Sequence, residues 1–419
     1  MRKLVSSITS ILSVMAIACS SVQGENIGTS ADPIIKGKDS TSDQDAVVLI
    51  VKLDFKSGIG ACTGTLIAPN LVLTARHCVS NVASAPFGCK EDGTLYPGSQ
   101  GGKAGSDFDP KILRFFVGKD APEFGRGPIN VAANGKAILH DGSKVLCSHD
   151  LALVVLDRDI PDAKIASLRL EGDPRVGEKL TSVGWGVTEK EDIPAVRKQR
   201  TDVLVRRVGP SPLNEQKLEA PVPGNDFEVG ESICSGDSGG PAFSQETGSV
   251  IGVVSRGGNG SSSEDPRANC TGSSTRNNYT KVAPFKDLIM KAFAEAGKDP
   301  WVEGGPDPRK KKNGEECSED AECRYDFCRN GSCADTCSDE QPCPEGYQCG
   351  LVDDKNICRS QAEVDDEKKK IEEAEGCSVS GPVGTESGGA LRMIAMGGTM
   401  GLLVWTRTRG RRKTSANRK

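Results

Sequence analysis

Short apolar runs broken by Gly, Asn, Asp and Pro set the rhythm of this chain after residue 33: Val47 to Leu53, Leu71 to Thr74, Leu151 to Leu156 and Val250 to Val254. Runs of that length, closely spaced and bounded by turn residues, predict the strands of an all-β sandwich or barrel. The period changes near residue 284. From Pro284 to Ala296, Phe285, Leu288, Ile289, Ala292 and Phe293 fall on one face at helical spacing, which predicts a closing helix. Ahead of the strands, Met1-Arg2-Lys3 and the apolar stretch from Ile8 to Ala18 have the form of a secretory signal, so residues 1–18 are set apart from the fold. Residues 19–33 then read as a propeptide or tether. Beyond the helix, residues 298–316 carry Pro300, Pro306, Pro308 and the basic run Arg309 to Lys312, and read as an exposed linker. Residues 359–375 are dense in Glu, Asp and Lys, as in a solvated tether or weak helix. Residues 376–419 hold Gly376-Cys377, an apolar stretch from Met393 to Trp405 and a basic end from Arg407 to Lys419.

Charge adds little to this picture. A formal net charge of -5 over 419 residues is modest, and the densest basic stretch lies in the tail, so nucleic acid is not an expected partner. Cysteine usage adds more. Apart from Cys19 and Cys377, six cysteines lie within residues 34–297 and eight between Cys317 and Cys358. Both groups are even, as a disulfide framework in an oxidising compartment requires. The eight form a compact module, residues 317–358, with too few apolar residues for a core of its own, so disulfides must hold it. Zinc is the competing reading, but the module has no histidine and no Cys-x-x-Cys pair. Eight cysteines permit about 105 pairings, and no connectivity follows from spacing. The module reads equally as a binder of a partner or surface polymer and as a spacer.

Candidate chemistry gathers in Cys234-Ser235-Gly236-Asp237-Ser238-Gly239-Gly240-Pro241. Ser238 is the candidate nucleophile. A serine hydroxyl needs a neighbouring base, and the oxyanion it generates needs fixed donors, which the backbone N–H groups of Gly236 and Ser238 can supply. The chain has only three histidines. His77 follows the strand-like run Leu71-Val72-Leu73-Thr74, and Asp150 precedes the run Leu151 to Leu156, where a shielded carboxylate can fix an imidazole tautomer. His140 and His149 read as surface or flanking residues. No metal, nucleotide or redox cofactor is implied.

Together with Cys62-Thr63-Gly64-Thr65-Leu66-Ile67, Gly184-Trp185-Gly186, Ser255-Arg256-Gly257 and Tyr279-Thr280-Lys281-Val282, these residues closely resemble the trypsin-like (chymotrypsin-fold) serine endopeptidases. The blocks stand in the family's order, His then Asp then Ser, over residues 34–297. The resemblance implies two six-stranded antiparallel β-barrels with a C-terminal helix, His77 and Asp150 coming from the first barrel and Ser238 from the second. It implies a protein or peptide substrate and an acyl-enzyme mechanism. Cys62 with Cys78 and Cys234 with Cys270 match bridges of the family, which leaves Cys89 for Cys147. That third bridge would tie an insertion between Asn81 and Asp109 to the segment leading into Asp150.

The start Ile34-Ile35-Lys36-Gly37 is similar to that of a mature family member, which implies a zymogen: an activating protease cuts before Ile34 and the new amine pairs with Asp237. Pro33 and Lys36 depart from the family pattern, which has a basic residue and a glycine at these places. In the primary pocket, the resemblance puts Ser232 at the floor, with Ser255 and Gly257 as walls and Asn277 where glycine is usual. Cleavage after small or apolar residues rather than basic ones follows, unless Glu264 or Asp265 reaches inward. The tail resembles myxobacterial-type sorting tails, although its apolar stretch is shorter than the roughly 20 residues of a membrane-spanning helix. Export to the cell surface or outer membrane is expected, with attachment through a lipidated Cys19 or through the tail, and extracellular release as the other outcome. The alternative function is a catalytically silent homologue that binds partners through its cleft and module.

Overall fold

The structure is a computed structural model that describes residues 34–376, apart from residues 55–57, 84, 86, 124–128, 189–193, 215, 217, 218, 262, 264, 340 and 353. Residues 1–33, read above as a secretory signal and a propeptide or tether with Cys19, Glu264, and residues 377–419, read as a sorting tail, lie outside the described residues.

Six strands close the first barrel: β1 (Val47–Asp54), β2 (Gly58–Ala68), β3 (Leu71–Thr74), β4 (Leu113–Phe116), β5 (Ala133–Leu139) and β6 (Ala152–Leu156), in the ring order β1-β2-β3-β6-β5-β4. The second barrel comprises β7 (Lys179–Gly184), β8 (Lys198–Val208), β9 (Asp226–Val229), β10 (Pro241–Ser244), β11 (Val250–Gly258) and β12 (Arg276–Lys281), in the matching order β7-β8-β9-β12-β11-β10. All their pairings are antiparallel. The unbroken apolar run of β1 has a direct cause. Val48 and Ile50 enter the main core, while Leu49 and Val51 pack on Phe116 and Trp185, so both faces are covered and no polar alternation survives.

Helix α3 (Lys286–Ala296) buries Ile289, Ala292, Phe293 and Ala296 in the main core and ends at Gly297, whose φ of 67° fits a left-handed cap. Two shorter helices matter for the site: α1 (Arg76–Val79), which carries His77, and α2 (Pro266–Cys270). Arg197, with no exposed surface, stitches residues 40–47 to both barrels. Its guanidinium donates to Ser40 Oγ (2.8 Å), Val47 O (2.8 Å), Thr41 O (2.9 Å), Gly118 O (3.2 Å) and Asp45 Oδ1 (2.9 Å).

The segment read as an exposed linker is instead docked on the protease body. Leu168 N–H donates to Trp301 O and Glu303 N–H to Leu168 O, both at 2.9 Å, and Trp301 and Val302 pack against the main core. Arg169 grips Glu303 through Nε and Nη2 and Glu178 through Nη1. The Pro, Gly and charge content signals solvation, but one apolar dipeptide and one glutamate suffice to anchor the run.

The cysteine-rich module is a tandem. Cys317–Cys328 and Cys323–Cys333 interlock, and Cys337–Cys349 and Cys343–Cys358 repeat the same first-to-third, second-to-fourth pattern. Helix α4 (Gln361–Gly376) belongs to a second compact unit, where Lys370 pairs with Asp366 at 2.7 Å one turn away. No helix among the described residues is long and apolar enough to cross a membrane.

Candidate active site

Strand pairing brings together residues far apart in sequence. Thr74, the last residue of β3, faces Ala152, the first of β6, so the turn after one strand and the segment before the other share one barrel end. His77 stands in that turn and Asp150 in that segment. His77 Nδ1 lies 2.8 Å from Asp150 Oδ2, and the His77 backbone N–H donates to Asp150 Oδ1 at 3.0 Å. Ser255 Oγ adds a third donor, to Asp150 Oδ2 at 2.6 Å. Asp150 is enclosed while the His77 ring keeps 23 % of its surface open.

The electrostatics follow from this packing. Burial opposes the charge on Asp150, but the His77 charge and hydrogen bond, with the donors from Ser255 and the backbone, outweigh it and hold the carboxyl below its usual range. Burial also disfavours a protonated His77; the adjacent Asp150 charge and hydrogen bond reverse this and raise the ring above its ordinary value, with Arg256 acting against them.

The loop of Ser238 comes to the same barrel end from the second barrel, while among the described residues Ser238 Oγ makes no hydrogen bond to His77. Thr63, in β2, pins its loop: Thr63 N–H donates to Ser238 O at 2.8 Å, Thr63 Oγ1 donates to Gly236 O at 2.9 Å, and that oxygen accepts from Trp185 N–H at 3.2 Å. Gly236 and Gly239 have φ of 100° and 82°, the left-handed region that glycine tolerates. Gly239 is also a point of contact, because a Cβ there would come 2.1 Å from Thr74 Oγ1 and 2.3 Å from Thr63 O. The serine loop therefore lies directly on the strand end that leads to His77. Cys78 Sγ lies 3.5 Å from Ser238 O. Among the described residues, the backbone N–H groups of Gly236 and Ser238 donate to no protein acceptor.

The family model described as Trypsin matches residues 34–99 and 119–289. This chain belongs to the trypsin family. Among similar proteins, phenoloxidase-activating factor 1 of Holotrichia diomphalia is 25 % identical over 278 residues, covering 62 % of this chain and 69 % of that protein. Trypsin eta of Drosophila erecta is 24 % identical over 304 residues, covering 69 % of this chain and 98 % of that protein. Granzyme M of Rattus norvegicus is 26 % identical over 255 residues, covering 57 % of this chain and 82 % of that protein.

In this trypsin-family chain, three disulfides frame the site. Cys62–Cys78 joins β2 to α1, Cys89–Cys147 ties the insertion to the segment before Asp150, and Cys234–Cys270 braces the serine loop against α2. Behind Ser238 lies a cavity of about 230 Å³ lined by Ser235, Val254, Ser255, Gly257 and Asn277. Ser232 does not form its floor. Asn277 Nδ2 donates to Gly230 O at 2.9 Å and meets Ser232 Oγ at 3.4 Å, so the amide covers the serine and itself faces the cavity. Its oxygen fills the space beside Gly257, where a Cβ would lie 1.9 Å from Asn277 Oδ1. Asp265 is exposed and caps α2 by accepting Arg267 N–H at 3.0 Å, so it does not reach inward. A second cavity, about 480 Å³, opens beside His77 and is lined by Val82, Phe87, Phe108, Leu146 and Arg256.

Asp237 is enclosed and accepts Gly186 N–H at 2.7 Å and Cys234 N–H at 2.9 Å. Burial outweighs these two donors and pushes its carboxyl up to about 7. Among the described residues no cation pairs with it. Ile34 and Ile35 are both buried, and Ile35 packs on Cys234 and Cys270 while its carbonyl accepts from Arg200 Nη1 at 2.7 Å. Lys36, at the place of the family's glycine, has φ of 61° and pairs through Nζ with Glu231 at 2.7 Å.

Thr63, Gly239 and Arg256 are the residues that sequence reasoning did not single out for roles. Thr63 and Arg256 stand inside the matching blocks, which marked their place without saying what they touch.

Proposed function

We propose that this chain is an exported serine endopeptidase that cleaves after small uncharged residues. The reading is carried by the 2.8 Å contact between His77 Nδ1 and the enclosed Asp150 carboxylate, on a ring whose other nitrogen is left for the serine. Ser238 Oγ attacks the scissile carbonyl while His77 Nε2 takes its proton. The backbone N–H groups of Gly236 and Ser238 meet the oxyanion. His77 then passes the proton to the leaving amine, the C–N bond breaks, and an acyl-serine remains. Water, deprotonated by His77, attacks that ester and returns the serine. Asp150 stays ionised throughout and holds the imidazolium that forms.

Asn277 sets the pocket preference in this reading. Its amide shortens the cavity and offers no charge, so Ala, Ser and similarly small side chains fit and Arg and Lys are refused.

The chain is made as a zymogen. Asp237 is a buried carboxylate with no cation, and an ammonium freed at Ile34 supplies one. Ile34, a β-branched residue, has φ of 44°, a strain of about 1–3 kcal/mol that ends when the bond to Pro33 is cut. The partner is thus an activating protease that accepts proline before the cut. Phenoloxidase-activating factor 1 is by its name an activator of another enzyme, and a place in such a cascade suits this chain. Cys19 or the C-terminal tail attaches the protein to the cell surface or outer membrane.

The test is hydrolysis of a mixed peptide library by the processed chain, with the new amino termini sequenced. Cleavage after small residues, lost by a factor of about 10⁴ or more in Ser238→Ala, is expected. Equal turnover by that variant, or cleavage after Arg and Lys, contradicts the reading.

A further inference from the structure

The hydrogen bonds that hold Asp150 continue outward. Ser255 Oγ, which donates to Asp150 at 2.6 Å, accepts from Arg256 Nη1 at 3.2 Å. Arg256 Nη2 donates to Asp226 Oδ2 at 2.7 Å, and Asp226 Oδ1 accepts from Thr280 Oγ1 at 3.3 Å. A local irregularity makes this row possible. The pairing of β11 with β12 shifts register between Val254, opposite Tyr279, and Arg256, opposite Asn278. Such a bulge breaks the strict alternation of a strand and lets consecutive side chains serve one side. Ser255 and Arg256 thereby both line the cavity behind Ser238 and the cavity beside His77.

Asp226 has no exposed surface and Arg256 keeps 18 % of its side chain open. An enclosed carboxylate is costly unless it is paired, and an apolar side chain would fill a barrel position at no such cost. The pair faces a limited set of charges. His77 sees Asp150 and Arg256; Asp226 sees Arg256, Asp150 and His149. His149 is itself held by Asp141, near Arg76.

We propose that Asp226 and Arg256 form a positioning pair for the catalytic unit: Asp226 anchors the guanidinium, which orients Ser255 Oγ as a donor to Asp150 and keeps one positive charge beside His77. This rests on the endopeptidase reading above. Its consequence has a sign. Removing the guanidinium takes away a charge that resists His77 protonation, so the acidic limb of the activity profile moves to higher pH. Neutralising Asp226 leaves the guanidinium uncompensated, and the limb moves to lower pH.

The experiment measures fluorophosphonate labelling rate, kcat and KM across the acidic limb for the processed full chain, comparing wild type, Arg256→Gln, Arg256→Lys and Asp226→Asn. Opposite displacements of about half a pH unit in Arg256→Gln and Asp226→Asn are expected. Arg256→Lys keeps the charge without the two-pronged reach, so its limb stays near wild type while its plateau rate falls. Ring titration of His77 by NMR in a Ser238→Ala background reads the same shifts without turnover. Limbs that stay fixed or move together in Arg256→Gln and Asp226→Asn overturn the proposal, as does a change confined to KM, which would make Arg256 a substrate contact. A wild-type chain that never labels overturns the endopeptidase reading itself, a result separable from unshifted limbs in a labelling enzyme.

Discussion

Between about pH 4 and pH 7 the titration of Asp237 makes stability depend on pH, and the proposed cut before Ile34 would relieve that dependence. The folded carboxyl titrates at about 7 against 3.8 for an unstrained one, so the folded chain holds the extra proton in that interval and stability falls as pH rises. The loss is complete above 7 and amounts to a few kcal/mol. A processed chain, with an ammonium at Ile34 beside Asp237, escapes it. Thermal melting of the two forms should coincide near the acid end and separate progressively toward neutrality, the unprocessed form melting lower; a constant separation would show that Asp237 is not the group responsible. At His77 the sign is the same but the cause differs, since burial opposes the proton there. Its raised proton affinity comes chiefly from Asp150 overcoming burial, so Asp150→Asn should lower the ring's titration and cut kcat by about 10⁴, as read from the pH profile of peptide hydrolysis.

Strands and helices determine which of these residues meet, and here the chain's legibility is uneven. The apolar runs around Val48, Val72 and Val154 announce strands because both faces of β1, β3 and β6 are covered. The family blocks mark His77, Asp150 and Ser238 as candidates, but the contact of the first two depends on the register of Thr74 against Ala152, which no local pattern encodes. The bulge at Ser255 was equally hidden, since it violates the alternation on which strand reading rests. Asn277 was legible as a narrowing of the pocket, while its covering of Ser232 required the amide's reach to Gly230 O. Arg197 gave no signal at all, yet its guanidinium joins five acceptors across three segments. Arg197→Met leaves Asp45 and four oxygens without their donor and should cost about 3–5 kcal/mol, measurable by denaturant unfolding. A loss below about 0.5 kcal/mol would mean water replaces the guanidinium.

At the scale of the whole molecule, residues 298–316 show how composition misleads. Their prolines, glycines and charges read as a free hinge, but Trp301, Val302 and Glu303 lock the run to the protease body, with Arg169 as the receiving group. Glu303→Ala should lower stability by about 1–3 kcal/mol, and the melting temperature of the full chain checks it. The sequence announced one compact disulfide-held module, whereas its division into two halves, each with interlocked bridges, emerged only from the pairing. The central claim concerns the crevice of the protease body: its serine is a live nucleophile. The most direct measurement is peptide mapping of the processed chain after treatment with a fluorophosphonate. The adduct is predicted on Ser238 alone, abolished in Ser238→Ala and strongly reduced in His77→Ala. A processed, folded chain that takes up no label at Ser238, or labels equally well without His77, would contradict it.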